Sequence, residues 1–204
     1  MTTSQHDFLV FIGRFQPYHL GHARVVARAL EAARHVIILI GSAPRPACVR
    51  NPWSFREREA MIRATLSPED NARLHIAPIM DATYNDDLWL ANVQKTVNGL
   101  VAAHHAQPHR PPRIGLIGHN KDHSSYYLSL FPNWSSVDVD AVDVMSGTEV
   151  RDAIFRADAG SWEDSRLSIT ALAKNLVPEP VLQFLKAYTK TDAFRAVRDE
   201  YDFV

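Results

Sequence analysis

A single cysteine, Cys48, stands in the 204 residues. No internal disulfide can therefore brace the fold, which suits a reducing compartment. Net charge is nearly missing too: 22 Lys and Arg face 23 Asp and Glu, a formal balance of −1. That balance argues against a main task of gripping duplex nucleic acid, but it leaves room for a local basic pocket. No apolar run reaches the roughly 18–20 residues that span a bilayer. The polar start Met1–Asp7 leads straight into a strand pattern with no secretory signal. Internal repeats and low-complexity tracts are absent, as are the G-x-G-x-x-G fingerprint and the G-K-[ST] of a phosphate loop. These absences leave the expectation of a soluble, cytoplasmic, ordinary domain without nucleic-acid or membrane partners. With 46% hydrophobic residues it can bury a substantial core.

What is present alternates between strand and helix patterns. Phe8–Ile12 and Val36–Ile40 are continuously apolar, as strands buried on both faces are in a parallel sheet. Between them Val25, Val26, Ala29, Leu30 and Ala33 form one helical stripe from near Ala23, making a right-handed βαβ unit. A Pro- and Arg-containing loop, Pro44–Pro52, precedes a capping-box pattern, Ser54 and Glu57, and a helix expected to turn Ala60, Met61 and Ala64 inward. Leu74–Ile79 reads as a third strand, and a helix after Tyr84 carries Leu90, Val93, Val97, Leu100 and Val101 on one face. His104–Arg113 reads as a surface loop, Ile114–Gly118 as the fourth strand and Val137–Val142 as the fifth. Ser146–Glu149 forms a second capping box, over a helix with Val150 and Ile154 inward. Two or three helices then follow, broken by Pro178 and Pro180. The expected fold is α/β, a Rossmann-like doubly wound parallel five-stranded sheet with helices on both faces and a small C-terminal helical extension. The expected domains are residues 1–160 and a helical extension over residues 161–204.

In such sheets ligands bind beyond the carboxyl ends of the strands. The polar and glycine-bearing stretches, residues 13–22, 41–52, 84–89, 118–122 and 146–151, are expected to fall at those ends and to converge on one cleft. The loop Gly13–His22 is the most telling of them. Its two histidines, His19 and His22, stand three apart at a helix start, where unpaired N–H groups and the helix dipole favour a phosphate. Arg14 adds a charge of bidentate geometry. On spacing alone the histidines could also be ordinary helix-start residues or, as a weaker alternative that needs further ligands, part of a metal site.

The string Gly13-Arg14-Phe15-Gln16-Pro17-Tyr18-His19-Leu20-Gly21-His22 resembles the H-x-G-H signature of the nucleotidyltransferase superfamily. Its G-R-F-Q-P form is typical of nicotinamide-mononucleotide adenylyltransferases of the archaeal type. Ser146-Gly147-Thr148-Glu149-Val150-Arg151 resembles the second signature, S-G-T-x-[IV]-R, and Arg50-Asn51-Pro52-Trp53 the R-[ND]-P-F loop. Tyr84–Trp89 resembles the nicotinamide-binding stretch. Leu116–Tyr127 is similar to a bacterial subgroup in which a Nudix hydrolase domain follows. The last residues, Tyr201–Val204, resemble the start of the linker to that domain, and no Nudix box occurs in these residues.

The resemblance implies transfer of an adenylyl group from ATP to nicotinamide mononucleotide, giving NAD and pyrophosphate by direct in-line attack. His19, His22, Arg14, Arg50 and Arg151 would be the catalytic set. Gly13, Phe15, Gln16, Gly21, Gly118, Asp122, Ser146, Gly147 and Thr148 would bind ATP, and Gly41, Ser42, Tyr84, Asn85 and Trp89 the mononucleotide. Mg2+ would arrive on the substrate phosphates without protein ligands, and a homo-oligomer is compatible with the archaeal type. Duller readings stand beside these roles. Arg50 and Arg151 could face solvent, Trp89 could be core, and Ser146 and Thr148 could only cap a helix. Two rival functions also stand: a related transferase acting on nicotinate mononucleotide or phosphopantetheine, and a nucleotide-binding sensor without turnover.

Overall fold

The apolar runs pair in parallel, β1 (His6–Gly13) with β2 (Ala33–Ile40) and β2 with β3 (Leu74–Pro78). On the other side of β1 lies β4 (Ile114–Gly118), then β5 (Ser135–Asp138), so the order is β3-β2-β1-β4-β5. The direction of winding reverses between β1 and β4, the switch point where open sheets of this kind take ligands. The computed structural model describes residues 5–82, 84–106, 109–118, 130–139, 146–156 and 176–202. The chain divides into two compact units. One comprises Met1–Gly13, Arg24–Ala43 and Ser67–Val142; the other comprises Arg14–Ala23, Pro44–Leu66 and Asp143–Val204.

The first unit holds the whole sheet. Phe8, Val10, Ile37, Leu39 and Leu116 pack with Val93, Val97 and Val101 of α4 (Asp86–His104). Strand residues alternate between faces, and the intervening Leu9, Val36, Ile38 and Ile40 are also fully buried. So are Val25, Val26 and Ala29 of α1 (Leu20–Ala32), as a sheet covered on both sides requires. A short α3 (Pro68–Ala72), capped by Ser67 and opened by Pro68, was not expected from periodicity because it buries no residue. The start of β1 is fastened by Asp7, whose oxygens accept from Arg110 at 2.7 and 2.8 Å and from the Arg113 N–H at 2.9 Å. Burial opposes the charge, yet the hydrogen bonds from Arg113 and Arg110 hold this carboxyl down at about 2.

The second unit holds the first turn of α1, α2 (Phe55–Arg63), α5 (Gly147–Arg156), α6 (Glu179–Tyr188) and α7 (Asp192–Tyr201). Trp53 meets Tyr188 edge-on at 5.5 Å, and Phe155 stacks on Phe194 at 5.6 Å.

Several boundaries differ from expectation. Ala33 opens β2 instead of closing α1, although it is fully buried in either role. Helix α2 buries Arg58, Met61 and Ile62, while Ala60 and Ala64 are exposed, because the helix turns its larger side chains inward. Strand β5 begins at Ser135, two residues earlier than expected. His104 belongs to the last turn of α4 and stacks on His75 at 3.8 Å. Pro178 and Pro180 open α6 rather than break a helix, consistent with proline's tolerance at the first helical positions. Asp122 and the stretch from His119 to Tyr127 lie outside the described residues.

Candidate active site

Helix α1 starts at Leu20, three residues earlier than its apolar stripe suggests, and this places both histidines in its cap. The Ala23 N–H donates to the His19 carbonyl at 3.0 Å, so His19 is the N-cap and His22 the third helical residue. His19 Nδ1 accepts the Gly21 N–H at 3.1 Å, and His22 Nδ1 accepts the His19 N–H at 3.3 Å. This is the reciprocal logic of a capping box, carried out by two imidazoles. The nitrogen that accepts carries no proton, so each neutral ring bears its proton on Nε2 and presents that nitrogen as a donor. The rings stack at 3.7 Å, and His22 is packed further by Phe15 at 4.7 Å and Tyr18 at 5.8 Å.

The same geometry corrects one expectation. The helix start was expected to offer open backbone N–H groups to a phosphate. Here the Leu20 N–H donates to the Leu176 carbonyl at 2.8 Å and the Gly21 N–H is consumed by His19. The donors oriented by this cap are side-chain Nε2–H groups.

The loop before α1 is held by three clamps. Arg58, buried on α2, donates to the Arg14 carbonyl at 2.8 Å and to the Ser54 carbonyl at 3.2 Å. The Gln16 amide donates to the Trp53 carbonyl at 2.8 Å and accepts the Trp53 N–H at 3.1 Å. Arg151 donates to the Gln16 carbonyl at 2.6 Å and to Thr148 Oγ1 at 3.0 Å. These clamps hold Phe15 at φ 53°, a left-handed conformation that side-chain-bearing residues rarely adopt. The Phe15 ring and the Gln16 amide, both expected at ATP, are thus engaged inside the protein. Arg58 was not foreseen as a site residue, and Trp53 was noted only as the end of the Arg50–Trp53 motif; the signal available for Arg58 was its place on the same stripe of α2 as Met61 and Ile62.

Arg151 is buried, and its pKa is lowered by desolvation first and by the Arg14 charge second, with Arg50 contributing in the same direction. Arg14 and Arg50 are exposed. A polyanion beside them would relieve the charge that Arg14 and Arg50 place on the buried Arg151. Arg50 sits in a tight turn closed by Cys48 and Asn51, whose backbones bond in both directions at 3.3 and 3.0 Å.

Helix α5 has the second capping box: the Ser146 N–H donates to the Glu149 carboxylate, and the Glu149 N–H to Ser146 Oγ at 3.3 Å. These bonds take neither the Gly147 nor the Thr148 N–H, which at the first two helical positions have no intrahelical acceptor. A Cβ on Gly147 would lie 3.0 Å from the Gln16 carbonyl, so glycine permits the close approach of these two backbones.

In the first unit, the residues expected at the mononucleotide occupy strand ends and the start of α4. The Gly41 N–H donates to the Gly13 carbonyl at 2.8 Å, and Ser42 stands at φ 50°. Gly118 closes β4. Asn85 is the N-cap of α4, its Oδ1 accepting the Leu88 N–H at 2.9 Å. Tyr84, at φ 60°, is fully exposed. Trp89 is half-buried with its ring 6.2 Å from Phe131, at the margin of the core. Among the described residues no three His, Cys, Asp or Glu could jointly hold a metal ion. No helix of the described residues is long and apolar enough to cross a membrane.

The parallel order β3-β2-β1-β4-β5 is that of a Rossmann-like α/β fold, and residues 10–98 match the cytidylyltransferase-like family. A nicotinamide/nicotinic acid mononucleotide adenylyltransferase of Acinetobacter baylyi is 37% identical over 96% of this chain and 93% of its own length. A nicotinamide-nucleotide adenylyltransferase of Thermoplasma volcanium is 28% identical over 91% and 88%. The crystal structure of a bifunctional NMN adenylyltransferase/ADP ribose pyrophosphatase from Francisella tularensis, complexed with AMP and a manganese ion, superposes with TM-score 0.76 at 28% identity. That match covers 97% of this chain and 53% of the other, so the chain spans about half the length of that bifunctional protein. The chain belongs to the nicotinamide-nucleotide adenylyltransferase family.

Proposed function

We propose that the chain transfers the adenylyl group of ATP to nicotinamide mononucleotide, giving NAD and pyrophosphate. The observation that carries this reading is the pair of imidazoles capping α1, each accepting a backbone N–H through Nδ1 and so oriented to donate from Nε2. A mononucleotide phosphate oxygen attacks the α-phosphorus of ATP and forms the new P–O–P bond. The bond from that phosphorus to the bridging oxygen of the β-phosphate breaks, and pyrophosphate leaves with the electron pair. The attacking phosphate is already anionic near neutral pH, so no side chain has to remove a proton. Alignment and charge stabilisation remain for the protein to supply. His22 and His19 donate Nε2–H to the phosphoryl oxygens. Arg14, Arg50 and Arg151 offset the triphosphate charge, and the start of α5 receives its far end. The divalent ion, Mg2+ in this reading, would be carried by the phosphates and would neutralise charge on them.

The acceptor side favours an amidated base. Asp86 and Asp87 are the only charged side chains of the Tyr84–Trp89 stretch. Carboxylates attract a pyridinium carrying a carboxamide and repel one carrying a carboxylate. The test offers ATP and Mg2+ with nicotinamide mononucleotide, nicotinate mononucleotide or phosphopantetheine while pyrophosphate is followed. We expect the fastest turnover with nicotinamide mononucleotide. Phosphopantetheine in first place would establish a related transferase, and silence with every acceptor despite ATP binding would establish a sensor.

A further inference from the structure

Ser42 is 6% exposed and holds φ 50°, a conformation that a residue with a Cβ avoids. One side chain secures it twice. The Ser42 N–H donates to Asp81 Oδ1 at 3.1 Å, and the Ser42 hydroxyl donates to Asp81 Oδ2 at 2.7 Å. Asp81 is placed to do this because the Ile79 N–H donates to the Ile40 carbonyl at 2.9 Å, which carries the β2–β3 register one step beyond β3. On its other side the chain runs through Tyr84, also left-handed, to Asn85, whose N–H donates to the Ala82 carbonyl at 3.1 Å. One carboxylate thus ties the turn after β2 to the segment that opens α4. The Gly41 N–H, bonded to Gly13 at 2.8 Å, fixes the near side of the same turn to β1.

We propose that Asp81 is a positioning residue for the mononucleotide. It holds the Gly41–Ser42 turn in the left-handed form, and it couples that turn to the Tyr84–Trp89 stretch. Without the carboxylate, Ser42 relaxes toward ordinary negative φ and the acceptor surface is lost from most molecules before any ligand arrives. The role rests on the reading that these two stretches take the mononucleotide, and it needs no contact between Asp81 and the ligand.

Calorimetric affinities for nicotinamide mononucleotide and for ATP, measured on the wild-type chain, Asp81→Ala, Ser42→Gly and the double variant, test it. Asp81→Ala should weaken mononucleotide affinity roughly tenfold, the order set by the preference against left-handed backbone, and ATP affinity by less than about twofold. Glycine adopts that backbone freely. In the Ser42→Gly background the same change should therefore cost less than about threefold. An undiminished loss in that background would overturn the proposal, because Asp81 would then be acting on the ligand itself. Equal losses for both ligands would overturn it as well, and so would a Ser42→Gly chain that no longer binds the mononucleotide. A wild-type chain that does not bind the mononucleotide would instead refute the functional reading.

Discussion

Two helix starts in the second unit meet the same physical problem with opposite means. Helix α1 is capped by His19 and His22, which take up backbone N–H groups and present imidazole donors in their place. Helix α5 is capped by Ser146 and Glu149, which satisfy the cap and leave the first two helical N–H groups without intrahelical partners. A ligand at the first meets side chains with a defined tautomer, whereas a ligand at the second meets backbone and helix dipole. The first suits charge that changes during a reaction, because ring donors can be aimed at one phosphoryl group. The second suits charge that only has to be held.

Substitutions can break this contrast. His22→Ala removes a ring donor and the return arm of the cap; kcat should fall by about 10²–10³-fold while circular dichroism stays native. Near-normal turnover would reduce the histidines to a cap. Arg151→Lys keeps the charge but loses the fork that joins Gln16 to Thr148. Steady-state kinetics should show turnover about ten- to a hundredfold lower, and an unchanged rate would mean that α5 needs no link to the loop. His19→Asn retains a good capping oxygen and removes the Nε2 donor. We expect roughly tenfold slower turnover with stability within about 0.5 kcal/mol, checked by urea denaturation.

Gly147→Ala sets a Cβ against the Gln16 carbonyl. It should raise the KM for ATP roughly threefold and leave the mononucleotide KM in place. Ser146→Ala should have the smallest kinetic effect and cost about 1 kcal/mol of stability. That cost should depend on pH. The Glu149 carboxyl is lowered by the hydrogen bonds from the Ser146 N–H and hydroxyl. The stabilisation from Glu149 is therefore fully present above the ordinary glutamate range and fades as pH falls through its lowered value. The stability gap between wild type and Ser146→Ala should narrow as pH falls below the ordinary glutamate range, as followed by thermal melts.

Much of this was legible in the residues, and what could be read was local. Continuous apolar runs marked β1, β2 and β4, and the stripe Val93, Val97, Val101 marked α4. Ser54 with Glu57 and Ser146 with Glu149 announced their caps because both partners lie within one turn. The histidine cap was equally short-range, but its use of backbone N–H groups stayed hidden, since periodicity placed the helix start near Ala23 rather than Leu20. The clamps were not legible. Gln16 and Trp53 stand 37 residues apart, Arg58 and Arg14 are 44 apart, and Arg151 and Gln16 are 135 apart. No spacing rule pairs an amide with one particular backbone over such a distance.

The sequence by itself determined the parallel α/β class and the helix caps, because periodicity and capping act over a few residues. It also carried the strings that make up the two signatures. Tertiary structure alone decided what those side chains are used for. It spends Gln16 on Trp53, Arg151 on Gln16 and Thr148, and Asp81 on Ser42. A buried polar group must find a partner wherever folding brings one within reach, and which partner that is depends on packing, not on chain order.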